Sequence, residues 1–328
     1  MSIIGLSKII NSNTELADIE FFYISKETKI IPWYNVFTFN FIKINKQTYV
    51  YNYRFALLIE YFNTNKIVLP QHNNTIVLDK AIFITTYEFN VGHMLDLIMQ
   101  YINYILDNNL NDYKIVITQD IINISPFFLK SIIYLLLDCK NVIIIDDNTL
   151  VKCNTTQIIM LNNQCIFDEY NYLIKKLKSK VNITNKYENI CLLKLDITKN
   201  ANPVNKTFNI EYVKFFEANG FTLIIPENYD IVDLFDILYN SKNIILTWGC
   251  CAYLNSLFLN STSNVLILCH SGYKNEWFSM TEQQIFKIFN SRFFPNKCNK
   301  KLILYDLPTE LTDNVKDVLI LEIKNLLK

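Results

Sequence analysis

The stretch Asn243–Cys269, NIILTWGCCAYLNSLFLNSTSNVLILC, decides the architecture. Its two ends, NIILT and NVLILC, are short, apolar and rich in branched residues, which reads as two buried strands rather than as helix. Between them lie a tight small-residue turn and a helix running through Leu254 and Phe258. Strand, helix and strand in this order predict a parallel α/β unit. The turn itself is Trp248, Gly249, Cys250, Cys251 and Ala252. At the carboxyl end of a parallel strand, small residues let a ligand approach the backbone, and the next helix offers unpaired amides and partial positive charge. A diphosphate suits that environment. The same small residues would also let the helix pack closely on the sheet, and the motif by itself does not choose between the two.

Outward from this unit the same grammar recurs. Upstream come a strand over 190–195, a helix over 208–219 stopped by Gly220, a strand over 221–225 and a helix over 231–240. Gly220 stands where a left-handed helix cap belongs. Downstream, a final strand and helix follow Lys301. The first half begins with residues 15–84, rich in Phe, Tyr, Ile and Thr, with strand-like alternation over 37–44 and 75–84. After Gly92, Met94, Leu95, Ile98, Tyr101, Ile102 and Ile105 recur on one helical face to about Asn108. A strand over 114–118, a helix opened by Ser125 and Pro126, a strand over 141–145, strands near Val151 and Ile158 and a Lys-rich helix over 168–180 complete this half. The polar stretch 181–189 reads as a hinge. The expected organisation is an α/β chain of two Rossmann-like lobes. Residues 1–183 would form a β-rich entry region plus an α/β domain, and 184–328 a second lobe whose last helix is a candidate to pack back on the first.

Composition narrows the function classes. With 328 residues, 51% hydrophobic and 19% charged, the chain can bury two ordinary cores. Lys plus Arg and Asp plus Glu each total 31, so no global field favours nucleic acid or an anionic membrane, and any basic patch must be local. Arg54 and Arg292 are the only arginines, which leaves lysines and backbone amides to hold anions. The eight cysteines form no CxxC pair, which argues against a zinc or thioredoxin-like site and favours a reducing compartment, with the cytosol expected. The opening MSIIGLSKIINSN has too short an apolar run for a signal peptide, and no stretch approaches a spanning helix, so any membrane role is expected to be peripheral. GxGxxG, P-loop, GxSxG and HExxH motifs do not occur. Asp146 and Asp147 follow a buried strand, where a solvated turn is the ordinary role of such a pair, and no metal is assigned to them.

A second candidate segment is YEFNVGHMLDLIMQ, residues 87–100. His93 stands at a helix entry and Asp96 follows three residues later, so both can share one face. Histidine is readily poised as a base near neutral pH, and a carboxylate can orient it. A histidine beside a helix terminus also serves purely structural ends.

Together these segments resemble the family 61 glycosyltransferases. Phe89, Asn90, Gly92, His93, Leu95 and Asp96 look like that family's aromatic-Asn-x-x-His segment opening a helix. A later series, Lys194, Asn209, Glu211, Gly220, Phe221, Pro226, Glu227, Leu234, Phe235, then Cys250, Cys251, Ala252, Asn255 and Phe258, follows the order of the family's second block. The resemblance spans roughly residues 75–270. It departs at two places: the family commonly carries His-Gly-Ala at the last turn and arginines early in the second lobe, whereas this chain has Gly249, Cys250, Cys251 and Lys194.

The resemblance implies two facing lobes of the GT-B type and sugar transfer from a nucleotide-sugar donor to a hydroxyl of a glycan or glycoconjugate, with no cofactor and no metal. On that basis His93 would be the base, oriented by Asp96. Lys194, Glu227, Gly249, Cys250, Cys251, Ala252, Asn255, Ser271 and Gly272 would line the donor site, with Lys199 and Lys206 as further positive charge. The alternative is a non-catalytic relative acting as a binding subunit of a glycan-assembling complex. No nucleic-acid partner is expected, because no basic stripe interleaved with aromatics is evident.

Overall fold

The computed structural model describes residues 4–5, 12–25, 38–51, 72–85, 91–124, 128–159, 170–181, 187–195, 207–249, 255–271 and 300–328. The chain divides into two compact units, Met1–Tyr172 and Leu173–Lys328, each with its own sheet. The division falls ahead of the polar 181–189 stretch.

In the first unit the strands are β1 (Ile4–Gly5), β2 (Thr14–Ser25), β3 (Thr38–Ile44), β4 (Gln47–Tyr51), β5 (Asn74–Ile84), β6 (Lys114–Thr118), β7 (Val142–Ile145) and β8 (Thr149–Ile158). They form one mixed sheet in the order β1-β4-β3-β2-β8-β5-β6-β7. The β-rich entry segment is therefore part of the same sheet as the α/β strands: β8 pairs antiparallel with β2 on one side and parallel with β5 on the other. The helices are α1 (Val91–Asp107), α2 (Gln119–Ile124) and α3 (Leu129–Leu136). The helix expected after Ser125 and Pro126 is thus α3, and α2 precedes it directly at the end of β6. Met94, Leu95, Ile98, Tyr101, Ile102 and Ile105 are all buried on α1, as their spacing requires.

Topology forces this sheet to coil. Only Asp146, Asp147 and Asn148 connect β7 to β8, and such a link spans at most about 14 Å. Yet β5 and β6 lie between those strands. The register adds a long offset along the strands: Ile145 is level with Thr118, just beyond the carboxyl end of β5, whereas Thr149 is level with Asn74 at its start. Those two levels are separated by roughly 30 Å of extended chain. A flat sheet cannot join them. The curl is visible at its seam, where the Tyr23 hydroxyl on β2 donates to the Ile145 carbonyl on β7 at 3.3 Å. Inside the curl Phe21 stacks on Phe83 at 4.2 Å and packs with Ile19, Ile42, Val116, Val151 and Cys153. Burial of the Tyr23 phenol, with Asp120, Asp147 and Asp146 nearby, pushes its pKa well above that of free tyrosine.

The second unit holds most of α4 (Asn171–Lys178), followed by β9 (Asn189–Leu192), α5 (Ile210–Ala218), β10 (Thr222–Leu223), α6 (Ile231–Asn240), β11 (Asn243–Thr247), β12 (Asn264–His270), β13 (Lys300–Leu307) and α7 (Asp313–Leu326). Its five strands are all parallel, in the order β10-β9-β11-β12-β13. The chain steps one way from β9 to β10, then crosses back to β11, which under the right-handed rule puts successive helices on opposite faces. On one face Phe208, Tyr212 and Phe216, at and within α5, join Leu319, Ile323 and Leu326 of α7 against Cys191, Ile245, Leu266 and Leu268. Helix α5 ends as expected. Gly220 has φ +84°, its N–H donates to Glu217 and that of Phe221 donates to Phe216, the paired bonds of a Schellman cap.

At the amino-terminal edge of this sheet, three asparagines that open β9, β11 and β12 stand in register: Asn189 opposite Asn243 and Asn243 opposite Asn264. Asn243 Nδ2 donates to Asn189 Oδ1, and Asn264 Nδ2 donates to Asn243 Oδ1, both at 2.8 Å. The outer members reach the Gly220 and Leu326 carbonyls. A strand slipped by one residue would break every rung, so the ladder holds the register that the aliphatic runs leave loosely specified. Replacing buried Asn243 with Leu removes two rungs and strands a donor and an acceptor. It should cost about 2 to 4 kcal/mol, read as a lowered melting temperature. An unchanged transition would show that the ladder carries no stability.

Candidate functional site

Because β10 and β11 flank β9 on opposite sides, the carboxyl ends of β9 and β11 bound the crevice at which doubly wound sheets bind ligands. Thr247 shapes it. Pairing between the two strands ends at Leu246 and Leu192. Beyond that point the fully buried Thr247 hydroxyl accepts from the Lys194 N–H at 2.9 Å and donates to the Leu192 carbonyl at 3.3 Å. A side chain thus takes over from the backbone ladder as the strands part. On the far side β11 stays joined to β12, since the Trp248 N–H donates to the Leu268 carbonyl at 2.9 Å. The opening therefore faces β9. Gly249 follows with φ +101°, a conformation costly for any residue with a Cβ.

The described donor-side candidates gather along this carboxyl edge. Half-buried Lys194 leaves β9, exposed Glu227 sits in a 3₁₀ turn after β10, Gly249 follows β11 and Ser271 follows β12. Asn255 is buried between β11 and β12, with its carbonyl accepting from the Phe258 N–H at 3.1 Å. Cys250, Cys251, Ala252, Gly272, Lys199 and Lys206 lie outside the described residues.

Further along the edge, buried His270 pairs through Nε2 with the Thr309 hydroxyl at 2.8 Å and stands edge-on to Phe208 at 5.6 Å. The Thr309 carbonyl in turn accepts from the N–H of Asn209, whose side chain caps α5 by accepting from the Glu211 N–H at 3.1 Å. Here the β12–β13 register shifts between Leu268 and His270, and Asp306 takes φ +58°. Such an irregularity re-aims side chains where a sheet ends. Asn209 and Glu211, quoted above for the family resemblance, therefore act locally in a helix cap. The Tyr212 hydroxyl donates to the Pro308 carbonyl at 2.8 Å, and burial raises its pKa far above the usual value.

In the first unit a comparable reversal occurs at β5, which has β6 on one side and β8 on the other. Helix α1, which carries His93 and Asp96, follows the carboxyl end of β5. Asp96 Oδ1 accepts a hydrogen bond from the hydroxyl of Tyr170, a buried residue between β8 and α4. Tyr101 on the same helix bonds the Thr85 hydroxyl at 2.9 Å, fixing the helix to the end of β5. The His93 side chain lies outside the described residues. Of the other two histidines, His72 packs against Phe22 at 5.0 Å, and burial lowers its pKa despite a hydrogen bond to the Asp147 backbone and the charge of Glu20.

Two positioning residues carried no motif, Thr247 and Tyr170, whereas His270 stands at the end of the run NVLILCH, where a parallel strand's carboxyl end faces the cleft. The one sequence signal for Thr247 is a hydroxyl ending the otherwise aliphatic run NIILT. The Asp146–Asp147 pair occupies the β7–β8 turn, where Asp146 Oδ1 accepts from the Thr149 hydroxyl at 2.5 Å, the ordinary role of an aspartate in a turn. Among the described residues no group of three His, Cys, Asp or Glu side chains is placed to hold a metal ion, and no helix is long and apolar enough to cross a membrane. No protein-family model matches this chain, and no curated protein matches it in sequence.

Proposed function

We propose that the protein is a glycosyltransferase of the two-lobed GT-B kind, which moves a sugar from a nucleotide-sugar donor to a hydroxyl of a glycan or glycoconjugate. The observation that carries this reading is the convergence of Lys194 and the Gly249 turn on one crevice at the carboxyl edge of a doubly wound sheet. The donor's diphosphate would lie over the turn at 249–252, with Lys194 contributing positive charge, and the nucleoside or sugar would extend toward Glu227 and Ser271. His93 would take the proton from the acceptor hydroxyl, with Asp96 oriented by Tyr170 rather than left to solvent. In-line displacement then requires alignment, a base and stabilisation of the departing diphosphate, which amides and lysine supply without a metal.

A second reading is favoured by the residues in which the chain departs from the family it resembles. The turn Gly249, Cys250, Cys251 stands where His-Gly-Ala is common, and Lys194 stands where arginines are, so the donor crevice could serve binding alone. Release of nucleoside diphosphate from nucleotide sugars, measured with and without hydroxyl acceptors, separates the two. Acceptor-dependent release supports transfer. Binding without release supports a non-catalytic subunit.

A further inference from the structure

We propose that the lysine face of α4 is a docking surface for an anionic lipid bilayer. The helix NYLIKKLK buries Leu173 and Leu177, and at 100° per residue Lys175 lies diametrically opposite them, with Lys176 and Lys178 to either side. Lys180 continues the run just past the helix end, and all four lysines are exposed. Elsewhere six lysines stand against carboxylates: Glu20 against Lys43 and Lys152, Asp112 against Lys80, Glu211 against Lys214, Glu188 against Lys242 and Asp313 against Lys316. Exposed Lys46, Lys130, Lys140, Lys324 and Lys328 make no ion pair among the described residues but are scattered, so what sets α4 apart is four exposed lysines within six residues. Among the described residues none of the four lysines at 175–180 makes an ion pair, and only Lys178 has an aromatic partner, lying 5.1 Å from the Tyr239 ring. The helix dipole favours lysine in the last turn. In a chain of zero formal net charge this is a local positive field.

The chemistry of the face fits lipid headgroups better than nucleic acid. It contains no arginine for bidentate phosphate or base contacts. Its aromatic residue, Tyr172, is 40% exposed, with its hydroxyl bonded to Asp107, and an amphipathic ring beside lysines suits the headgroup layer. The apolar face of α4 is spent on the protein core, so the contact is electrostatic and does not require insertion. Each lysine near an anionic surface strengthens binding about fivefold, and three together about 10²-fold.

The test is co-sedimentation of the full chain with phosphatidylcholine vesicles, with and without phosphatidylserine. The wild type should sediment with the phosphatidylserine vesicles alone and be released by salt. The K175Q/K176Q/K180Q variant, which spares the Lys178–Tyr239 contact, should partition about 10²-fold less, while K175R/K176R/K180R should bind as the wild type does. Three results would overturn the proposal: no sedimentation of the wild type with anionic vesicles, equal sedimentation of the glutamine variant, or loss of binding in the arginine variant. Lysine-dependent binding to single-stranded RNA without vesicle binding would reassign the face to nucleic acid. Since α4 is separate from the donor crevice, failure here leaves the glycosyltransferase reading untouched.

Discussion

Replacing His93 with alanine is expected to lower sugar transfer by about two to four orders of magnitude, the usual effect of removing a positioned general base. Folding should be nearly intact. Helix α1 is held through Met94, Leu95, Ile98, Tyr101, Ile102 and Ile105, all buried, and through the Tyr101–Thr85 bond at 2.9 Å, none of which involves residue 93. The loss should appear in kcat rather than in donor affinity, because the base acts on the acceptor hydroxyl. Purified His93→Ala protein that transfers sugar at the wild-type rate would reduce His93 to a structural residue at a helix entry.

The second large effect is expected at Cys251. If the amides after Gly249 receive the diphosphate, its oxygens must come within hydrogen-bonding distance of the backbone, and a bulky side chain at 251 would occupy that space. Cys251→Leu should therefore abolish calorimetrically detected binding of a nucleoside diphosphate. Each lost charge-assisted bond accounts for about 1.5 to 3 kcal/mol. Cys139→Leu is the appropriate control because Cys139 is exposed. Cys153 would serve poorly: its thiol is packed among Phe21, Phe83 and Val151, where added volume costs about 1 to 3 kcal/mol. A folded Cys251→Leu protein that retains wild-type affinity would place the diphosphate elsewhere.

Much of the second unit was legible because its signals are local. NIILT and NVLIL are strands to within a residue of their expected limits, and Gly220 terminates its helix by the predicted left-handed conformation. The strand expected over 221–225 shortens to Thr222–Leu223, yet the Ile224 N–H still reaches the Cys191 carbonyl at 2.9 Å, so the chain tracks β9 beyond the formal strand. The first unit was less legible. Its strands were recognisable by alternation, and a β-rich entry region plus an α/β domain was expected; that both belong to one mixed, coiled sheet was not legible. The coil arises because β5 gives its first half to β8 and its last residues to β6, a choice of partners that no local pattern encodes.

The site shows the same division. Gly249 could be singled out as one of five glycines in the chain, and its positive φ bears out the need for special geometry. That Lys194 and Gly249 share a crevice depends on strand order, and the order becomes visible only once β10 is seen to lie outside β9. Asp96 could be paired in sequence only with His93, three residues away. Its hydrogen-bond donor Tyr170 is 74 positions distant and joins it through the fold.

The most direct measurement of the central claim is thermal unfolding of the wild-type protein against a panel of nucleotide sugars and their nucleoside diphosphates. A ligand that binds only the folded state at about 100 times its dissociation constant stabilises by about 2.7 kcal/mol, enough to raise the melting temperature clearly. The account predicts that at least one nucleotide sugar produces this shift, that the matching nucleoside diphosphate produces most of it, and that the free sugar produces none. Folded protein whose transition is indifferent to every member of the panel would contradict a donor site at the carboxyl edge of the second sheet.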